Sequence, residues 1–273
     1  MSRSPDDGIL IIGAHEVETA LKGREEAVIK AVQKAYEAHS RGASSLPHSS
    51  FLRFPDSDKD RIICLPAYLG DDYQLAGVKW IASMPDNVAR GMERASAVMI
   101  LNDRITGRPG AVIEGSIISK QRTAASAALA SKVLAPGEPE AIGFVGCGPI
   151  NIAVAQFLSA TWPNVGRFMA FDLDPTRAET FGSVLPPGID FKVCSSLEEL
   201  LSECPMVAFA TTAIKPYVKD LEACPAGATI LHVSLRDLSA DTILSNHNIV
   251  DDLDHVNRAA TSIHLAAQQG GNT

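Results

Sequence analysis

The sequence predicts an α/β fold, with a doubly wound parallel sheet in the second half of the chain and an α+β domain before it. From residue 141 onward, short apolar runs alternate with helical patterns, which is typical of parallel strands joined by right-handed helical crossovers. Over the first 115 residues, apolar runs follow one another more closely, which favours an antiparallel or mixed sheet. A turn of the form Gly-x-Gly joins the first strand and helix of the second half.

The periodicity of apolar residues places the individual elements. In the first half it predicts a helix over 24–40, strands near 51–54, 61–69, 75–83 and 96–102, and a long helix over 116–135 that ends at Pro136-Gly137. In the second half it predicts strands at 141–145, 167–172, 189–193, 205–210, 228–234 and 248–250, and helices at 150–161, 175–182 and 196–202. A last helical pattern runs from His255 to Gln269. We therefore expect domains at 1–132 and 133–254, with 255–273 as the start of a helix that returns to the first domain.

The composition is that of an ordinary globular protein. Of the 273 residues, 46% are hydrophobic and 21% are charged, and the net charge is −8, which argues against a nucleic-acid partner because such binding needs a basic surface. No apolar run approaches the roughly 20 residues that span a bilayer, and no basic, apolar leader opens the chain, so we expect a cytoplasmic protein without membrane contact. The five cysteines are scattered and the acids at 251–254 suit a solvated helix start, so we assign no disulfide and no metal site.

The turn at Gly146 and Gly148 has the pattern of a dinucleotide-binding site in a Rossmann-type fold. It follows an apolar run and opens a helix with Pro149 and Ile150, so backbone N–H groups at the helix start point toward one place that suits a pyrophosphate. Asp172 ends the next apolar run, near the roughly 20-residue distance at which an acid holds the adenosine ribose. We predict NAD rather than NADP, because a carboxylate would repel a 2′-phosphate.

Three cations lie on otherwise apolar elements of the first domain. A period of two places Lys79 on the apolar face of its strand and Arg53 beside Phe51. In the helix over 116–135, Arg122 lines up with apolar residues and is expected to be buried. Each cation alone suits an internal salt bridge or a side chain that reaches solvent. Three of them in an acidic chain favour an anion site, and a substrate carboxylate is the natural ligand.

Polar residues follow two predicted strands of the second half, where ligands of open α/β sheets bind. Thr211 and Thr212 follow one strand, and we assign Thr211 and Ser234 as cofactor contacts. Asp237 follows the next strand and suits either a base that stabilises an iminium charge or a residue that caps a loop. We interpret His232 as a core histidine.

The motifs of the chain resemble the ornithine cyclodeaminase/mu-crystallin family over nearly the whole length. The resemblance rests on the glycine turn with its acid and on three further motifs, which are Gly77-Val78-Lys79, Thr106-Gly107-Arg108-Pro109 and Ser119-Lys120-Gln121-Arg122-Thr123-Ala124-Ala125. It implies a homodimer whose first domain binds a small anionic amino acid and builds the dimer, while the second domain binds NAD(H). It also implies that the substrate carboxylate is held by Arg53, Lys79 and Arg122, and that the catalytic residues are Asp237 and Lys79.

Within this family the chain is similar to a branch that oxidises an N-substituted glutamate. The similar segments are 80–87, 114–116, 146–151 and 234–238. The implied reaction is NAD-dependent oxidative hydrolysis of N-(2-amino-2-carboxyethyl)-L-glutamate to 2-oxoglutarate and 2,3-diaminopropionate, which is used for siderophores and peptide antibiotics. Ornithine cyclodeaminases resemble the chain less well, because a glycine pair usually precedes their aspartate where Leu235-Arg236 stands here.

Two other kinds of function stay open from the sequence. One is the cyclodeamination of ornithine to proline and ammonia, or the reduction of a ketimine. The other is non-catalytic binding of NAD(H) or another small ligand. Relatives in the family continue for several dozen residues past the point where this chain stops, so we also expect a short C terminus that affects dimerisation and turnover.

Overall fold

A computed structural model describes residues 8–257 and 260–270. The chain divides into two compact units, Met1–Arg122 and Thr123–Thr273. In the described part of the chain, no helix is both long and apolar enough to cross a bilayer.

The first unit is built on a seven-stranded mixed sheet. Its strands are β1 (Leu10–Ile12), β2 (Ser44–Ser45), β3 (Ser50–Phe54), β4 (Ser57–Leu69), β5 (Leu75–Ser83), β6 (Ala95–Asp103) and β7 (Pro109–Glu114). Its helices are α1 (Ala14–Leu21), α2 (Glu25–Ser40), a 3-10 turn (Pro85–Arg90) and the beginning of α3 (Ser116–Leu134). The strand order is β1-β7-β6-β5-β4-β2, with β3 also on β4 and only β1 and β7 parallel. The predicted mixed sheet is confirmed.

Two local features fix the geometry of this unit. Gly77 allows β5 and β6 to approach closely, since a Cβ there would clash with the carbonyl oxygen of Ile100. The carboxylate of Glu114 caps α3, accepting hydrogen bonds from the N–H groups of Ser116 (2.7 Å) and Ile117 (3.0 Å). These bonds satisfy orphan donors at the helix start, so α3 begins directly after β7.

The second unit is a doubly wound parallel sheet of five strands. Its strands are β8 (Ala141–Val145), β9 (Arg167–Phe171), β10 (Asp190–Val193), β11 (Met206–Phe209) and β12 (Thr229–His232). Its helices after α3 are α4 (Pro149–Thr161), α5 (Pro175–Ser183), α6 (Leu197–Glu203), α7 (Ala240–Leu244), α8 (Leu253–Val256) and α9 (Ser262–Gly270). The order is β10-β9-β8-β11-β12, so the winding direction reverses between β8 and β11 and leaves a crevice at their carboxyl ends.

The core of this unit around β8 is formed by apolar side chains. The strand β8 is buried at every position, as expected for the central strand of a parallel sheet covered on both faces. The ring of its Phe144 contacts the rings of Phe168 and Phe181, and these three side chains and Phe157 have essentially no exposure. This packing holds the carboxyl ends of the strands in fixed positions and so places the loops that follow them.

The C-terminal part differs from the prediction. The predicted strand at 248–250 is wrong: Ile249 is 70% exposed, and Asn248 donates a hydrogen bond to the carbonyl of Ile243 instead of joining the sheet. The predicted helix from 255 to 269 is also wrong as one element, because α8 ends at Val256 and α9 begins at Ser262. Residues 258–259 within that prediction lie outside the described residues.

The helix α9 is tied to the loop that follows β12. The N–H of Ser262 donates to the carbonyl of Leu235 (2.9 Å), and its hydroxyl donates to the carbonyl of Leu238 (2.6 Å). In the same loop, Arg236 donates to the carbonyl of Ala260 (2.7 Å). The loop at 234–238 therefore depends on the C-terminal helix for its position.

Candidate active site

The turn between β8 and α4 has the backbone geometry of an anion-binding turn. Gly146 has φ +86°, and a Cβ there would lie 2.9 Å from the carbonyl oxygen of Ala210, so only glycine fits. Gly148 is the N-cap of α4 in an extended conformation, with open space where its Cβ would be. Pro149 occupies the first helical position, where no N–H is lost to the helix. The start of α4 therefore presents free N–H groups beside an unobstructed glycine.

A buried asparagine holds this turn against the neighbouring strand. The side-chain amide of Asn151 donates to the carbonyl oxygens of Val145 (3.0 Å), Gly146 (2.8 Å) and Ala208 (3.3 Å). It thereby joins the carboxyl end of β8 to that of β11. Sequence reasoning did not identify Asn151. An amide in the first turn after Gly-x-Gly was the only local indication, and the contact with Ala208 depends on tertiary structure.

The acid after β9 lies directly beside the glycine turn. One carboxylate oxygen of Asp172 accepts the N–H of Cys147 (2.7 Å), and the other accepts the N–H of Asp174 (3.0 Å). Each oxygen keeps a lone pair that can accept a ribose hydroxyl. Burial, with a smaller effect from Asp172, raises the pKa of the Cys147 thiol to about 12, so Cys147 is no nucleophile at neutral pH.

In the first unit, Lys79 is half-buried on the face predicted for it. Its ammonium donates to the hydroxyl of Ser119 (3.2 Å), and within the described part of the chain it forms no ion pair with a carboxylate. Burial and the nearby charge of Arg122 lower the pKa of Lys79 to about 8. A cation so weakly compensated is an anion-binding group.

The two arginines are placed differently. Arg122 is exposed, so the prediction of a buried side chain is wrong: the buried residues of α3 begin at Ala124, two positions after Arg122. Arg53 is also exposed, with its guanidinium 5.6 Å from the centre of the Phe51 ring. The register of β3, β4 and β5 puts Arg53 and Lys79 on the same face of the sheet, while Arg122 is close enough to Lys79 to shift its pKa.

A second cluster surrounds Asp237, whose side chain has 0% exposure. Its carboxylate accepts hydrogen bonds from the hydroxyls of Thr211 and Ser234, from the Tyr217 hydroxyl (2.9 Å) and from His232 Nε2 (3.1 Å). Burial favours the neutral acid, but these hydrogen bonds outweigh it and lower the pKa of Asp237 to about 2. Asp237 is therefore a fixed anion at neutral pH.

The members of this cluster come from the last residue of β12 and from the two loops that follow β11 and β12. The structure brings together three residues that the sequence predicts for the site, Thr211, Ser234 and Asp237. The hydroxyls of Thr211 and Ser234, which were predicted to contact the cofactor, are directed toward Asp237. His232 is not a simple core residue, since its ring is 17% exposed and bound to Asp237. Tyr217 was missed, because nothing in its local sequence connects it to an acid 20 positions away. Burial and Asp237 raise the pKa of Tyr217 above its ordinary range.

The parallel sheet, the glycine turn and the adjoining acid define a Rossmann-type protein with the features of a dinucleotide site. The chain belongs to the ornithine cyclodeaminase/mu-crystallin family, whose model matches residues 10–252. The family resemblance and the fold class inferred from the sequence are both confirmed.

Three proteins to which the chain is similar are dehydrogenases that act on amino acids. The chain is 29% identical to N-((2S)-2-amino-2-carboxyethyl)-L-glutamate dehydrogenase of Staphylococcus aureus, over 96% of this chain and 80% of that protein. It is 28% identical to an alanine dehydrogenase of Archaeoglobus fulgidus, over 96% of this chain and 79% of that protein. It also matches the solved structure of an archaeal alanine dehydrogenase dimer with bound NAD, with a TM-score of 0.84, 28% identity, and coverage of 96% and 80% of the two chains.

Proposed function

We propose that the chain is an NAD-dependent amino-acid dehydrogenase that oxidatively hydrolyses N-(2-amino-2-carboxyethyl)-L-glutamate. The observation that carries this proposal is Lys79, a half-buried ammonium without a carboxylate partner among the described residues. A substrate carboxylate would supply the missing charge. The similarity to the Staphylococcus aureus dehydrogenase extends over 96% of this chain and supports this particular substrate.

Lys79 and Arg122 would share the binding of the α-carboxylate. The ammonium of Lys79 acts as a point charge, whereas the guanidinium of Arg122 can form two parallel hydrogen bonds to a carboxylate. Because each cation raises the electrostatic cost of the other, a bound anion relieves the repulsion that lowers the pKa of Lys79. Arg53, on the same face of the sheet, is available for a second carboxylate, and the proposed substrate carries three.

The second unit would hold NAD through backbone N–H groups and the side chain of Asp172. The open Gly148 and the N–H groups at the start of α4 suit the pyrophosphate, and Asp172 suits the hydroxyls of a ribose. When bound, NAD+ supplies the acceptor for the hydride that leaves the substrate. We expect NADP to bind poorly, because its 2′-phosphate would face the carboxylate of Asp172.

The Asp237 cluster would handle protons and stabilise positive charge during the reaction. A buried carboxylate that is ionised at neutral pH favours a cationic iminium near it. Hydrolysis of the imine then needs a group that receives a proton from water. The products are 2-oxoglutarate and 2,3-diaminopropionate.

We also propose that the chain acts as a homodimer. The support is the solved alanine dehydrogenase, which is a dimer. Light scattering coupled to size exclusion measures the mass directly, and a single species at the mass of one chain would contradict this part of the proposal.

The function is tested by following NADH absorbance after the purified chain is mixed with NAD+ and the proposed conjugate. Ornithine and alanine are run in parallel, and NADP+ replaces NAD+ in a second series. We expect NADH only with the conjugate and NAD+. Ammonia release from ornithine would instead establish cyclodeamination, and NAD binding without turnover of any substrate would establish a non-catalytic binder.

A matched pair of variants ties the result to the anion site. Lys79→Met is expected to abolish substrate binding without weakening NAD binding. Lys59→Met is the control, because Lys59 lies on the surface of the same unit in an exposed ion pair with Asp86 (2.7 Å). Equal loss in both variants would contradict the assignment of Lys79.

A further inference from the structure

The Asp237 cluster contains five polar side chains, and its geometry restricts which of them can exchange a proton with a substrate. Asp237 itself has 0% exposure, and its two oxygens accept four side-chain hydrogen bonds. A group that takes a proton from a substrate must come within hydrogen-bond reach of it. Asp237 therefore has no accessible oxygen with which to do so.

The three hydroxyls of the cluster are poor bases in this setting. Thr211 donates its proton to Asp237, and Ser234 donates to Asp237 with the carbonyl of Phe209 as a second acceptor at 3.0 Å. Tyr217 does the same at 2.9 Å, and burial together with Asp237 keeps its phenol protonated through the neutral range. All three act as donors that fix the carboxylate. Only His232 remains.

The contact between His232 and Asp237 decides which imidazole nitrogen carries the proton. Nε2 lies 3.1 Å from the Asp237 carboxylate, and this contact is a hydrogen bond only when Nε2 is protonated, because the carboxylate has no proton to donate. The backbone N–H of Asp237 also points to Nε2, at 3.3 Å. If Nε2 carried no proton and accepted this N–H, its lone pair would face the lone pairs of the carboxylate, and that repulsion would outweigh one long hydrogen bond. Nδ1 is thus left as the basic nitrogen, and among the residues that the structure describes no hydrogen bond engages it.

We propose that His232 is the group that receives the substrate proton, and that Asp237 is a positioning residue that acts through it. This inference rests on the proposed function. In the oxidation, the α-C–H bond breaks and its electron pair leaves as hydride to NAD+, while the proton of the substrate nitrogen moves to Nδ1 of His232 and the C=N bond forms. Asp237 stabilises the resulting imidazolium through Nε2–H. The proton then passes to solvent, and water adds to the imine to release the ketone and the amine.

The position of the cluster supports this role. Asp172 lies after β9, on one side of the glycine turn, whereas His232 ends β12 on the other side. In two-halved dinucleotide folds the acid marks the adenosine half, so His232 belongs to the opposite half. With 17% of its side chain exposed, His232 is the member of the Asp237–His232 pair that a substrate can touch.

The tautomer of His232 can be measured without cofactor or substrate. We would record ¹⁵N spectra of the imidazoles in the full chain at about pH 8, where a free imidazole is neutral. The resonances of His232 are assigned as those that are missing from the spectrum of His232→Gln. The expected result is a protonated Nε2 and an unprotonated Nδ1, with this preference lost in Asp237→Asn. A proton on Nδ1 in the unaltered protein would overturn the inference. If the tautomer of His232 is the same in Asp237→Asn as in the unaltered protein, the positioning role of Asp237 is wrong.

Kinetics provide the second test. His232→Gln should lower kcat by ~100-fold or more, as expected for loss of a positioned base, while the Kd for NAD stays unchanged. His255→Gln is the matched control, since His255 lies in the exposed helix α8 with its Nδ1 3.9 Å from the carboxylate of Asp252. Turnover of His232→Gln at the rate of the unaltered protein would refute the inference. If the unaltered chain oxidises no substrate, the proposed function fails while the tautomer measurement still decides the His232–Asp237 arrangement.

Discussion

The lowered pKa of Lys79 predicts that substrate binding weakens as the pH rises through about 8. The suitable ligand is 2-oxoglutarate, the expected dicarboxylate product, because it has no amine that titrates in the same range. Only the ammonium form of Lys79 attracts its carboxylate. The Kd measured by calorimetry between about pH 6.5 and pH 10 should therefore follow the ionisation of Lys79.

The magnitude follows from the pKa. With a pKa of about 8, the ammonium form makes up about nine tenths of the protein at pH 7 and about one tenth at pH 9. The Kd should rise about tenfold over that interval, which corresponds to about 1.4 kcal/mol. For an unperturbed lysine, whose pKa is 10.5, the same interval would produce almost no change.

A conservative variant identifies the titrating group. Lys79→Arg keeps its charge at every pH in the range, so its Kd should be independent of pH, even though the longer guanidinium weakens binding overall. A Kd for the unaltered protein that stays constant from pH 7 to pH 9, or a break that persists in Lys79→Arg, would refute the assignment of the break to Lys79.

Two further predictions concern stability and the cofactor. Lys79→Met should raise the free energy of unfolding at pH 7 by about 1–3 kcal/mol, because burial penalises the ammonium. The pKa of Lys79 in the folded protein (about 8) lies below the ordinary 10.5, so the unaltered protein should become more stable as the pH rises between these two values. Urea unfolding measures both effects. Gly146→Ala should unfold at lower urea, because its φ of +86° and the Ala210 carbonyl oxygen leave no room for a methyl. Gly148→Ala should unfold normally but bind NAD weakly, because its methyl would enter the open space at the helix start. Equal stability of the two alanine variants would show that the turn is not constrained as described.

Local features of the chain were predictable from the sequence because they depend on neighbouring residues. The turn from β8 to α4 is one such feature: an apolar strand, two glycines and a helix start within eight residues of each other impose the same geometry in any context. The pattern that places Lys79 on its strand face is likewise local.

Features that depend on distant contacts were not predictable in the same way. Asn151 binds the carbonyl of Ala208, 57 positions away, and Tyr217 binds Asp237 across 20 positions. Helical periodicity gave Arg122 the right face of α3 but could not show where burial of that face begins. Residues 248–250 are apolar enough for a strand, yet Asn248 satisfies nearby carbonyls locally and the segment stays out of the sheet.

The attachment of α9 to the loop at 234–238 has a consequence for local opening of the molecule. Amide hydrogen exchange proceeds through cooperative units that open together. Because Ser262 and the carbonyl of Ala260 hold three positions of that loop, fraying of α9 releases the backbone on either side of Asp237. The exchange rates of the N–H groups in α9 and in the loop should therefore change together. A change at the end of α9 that loosens this helix would also alter the position of the buried carboxylate of Asp237.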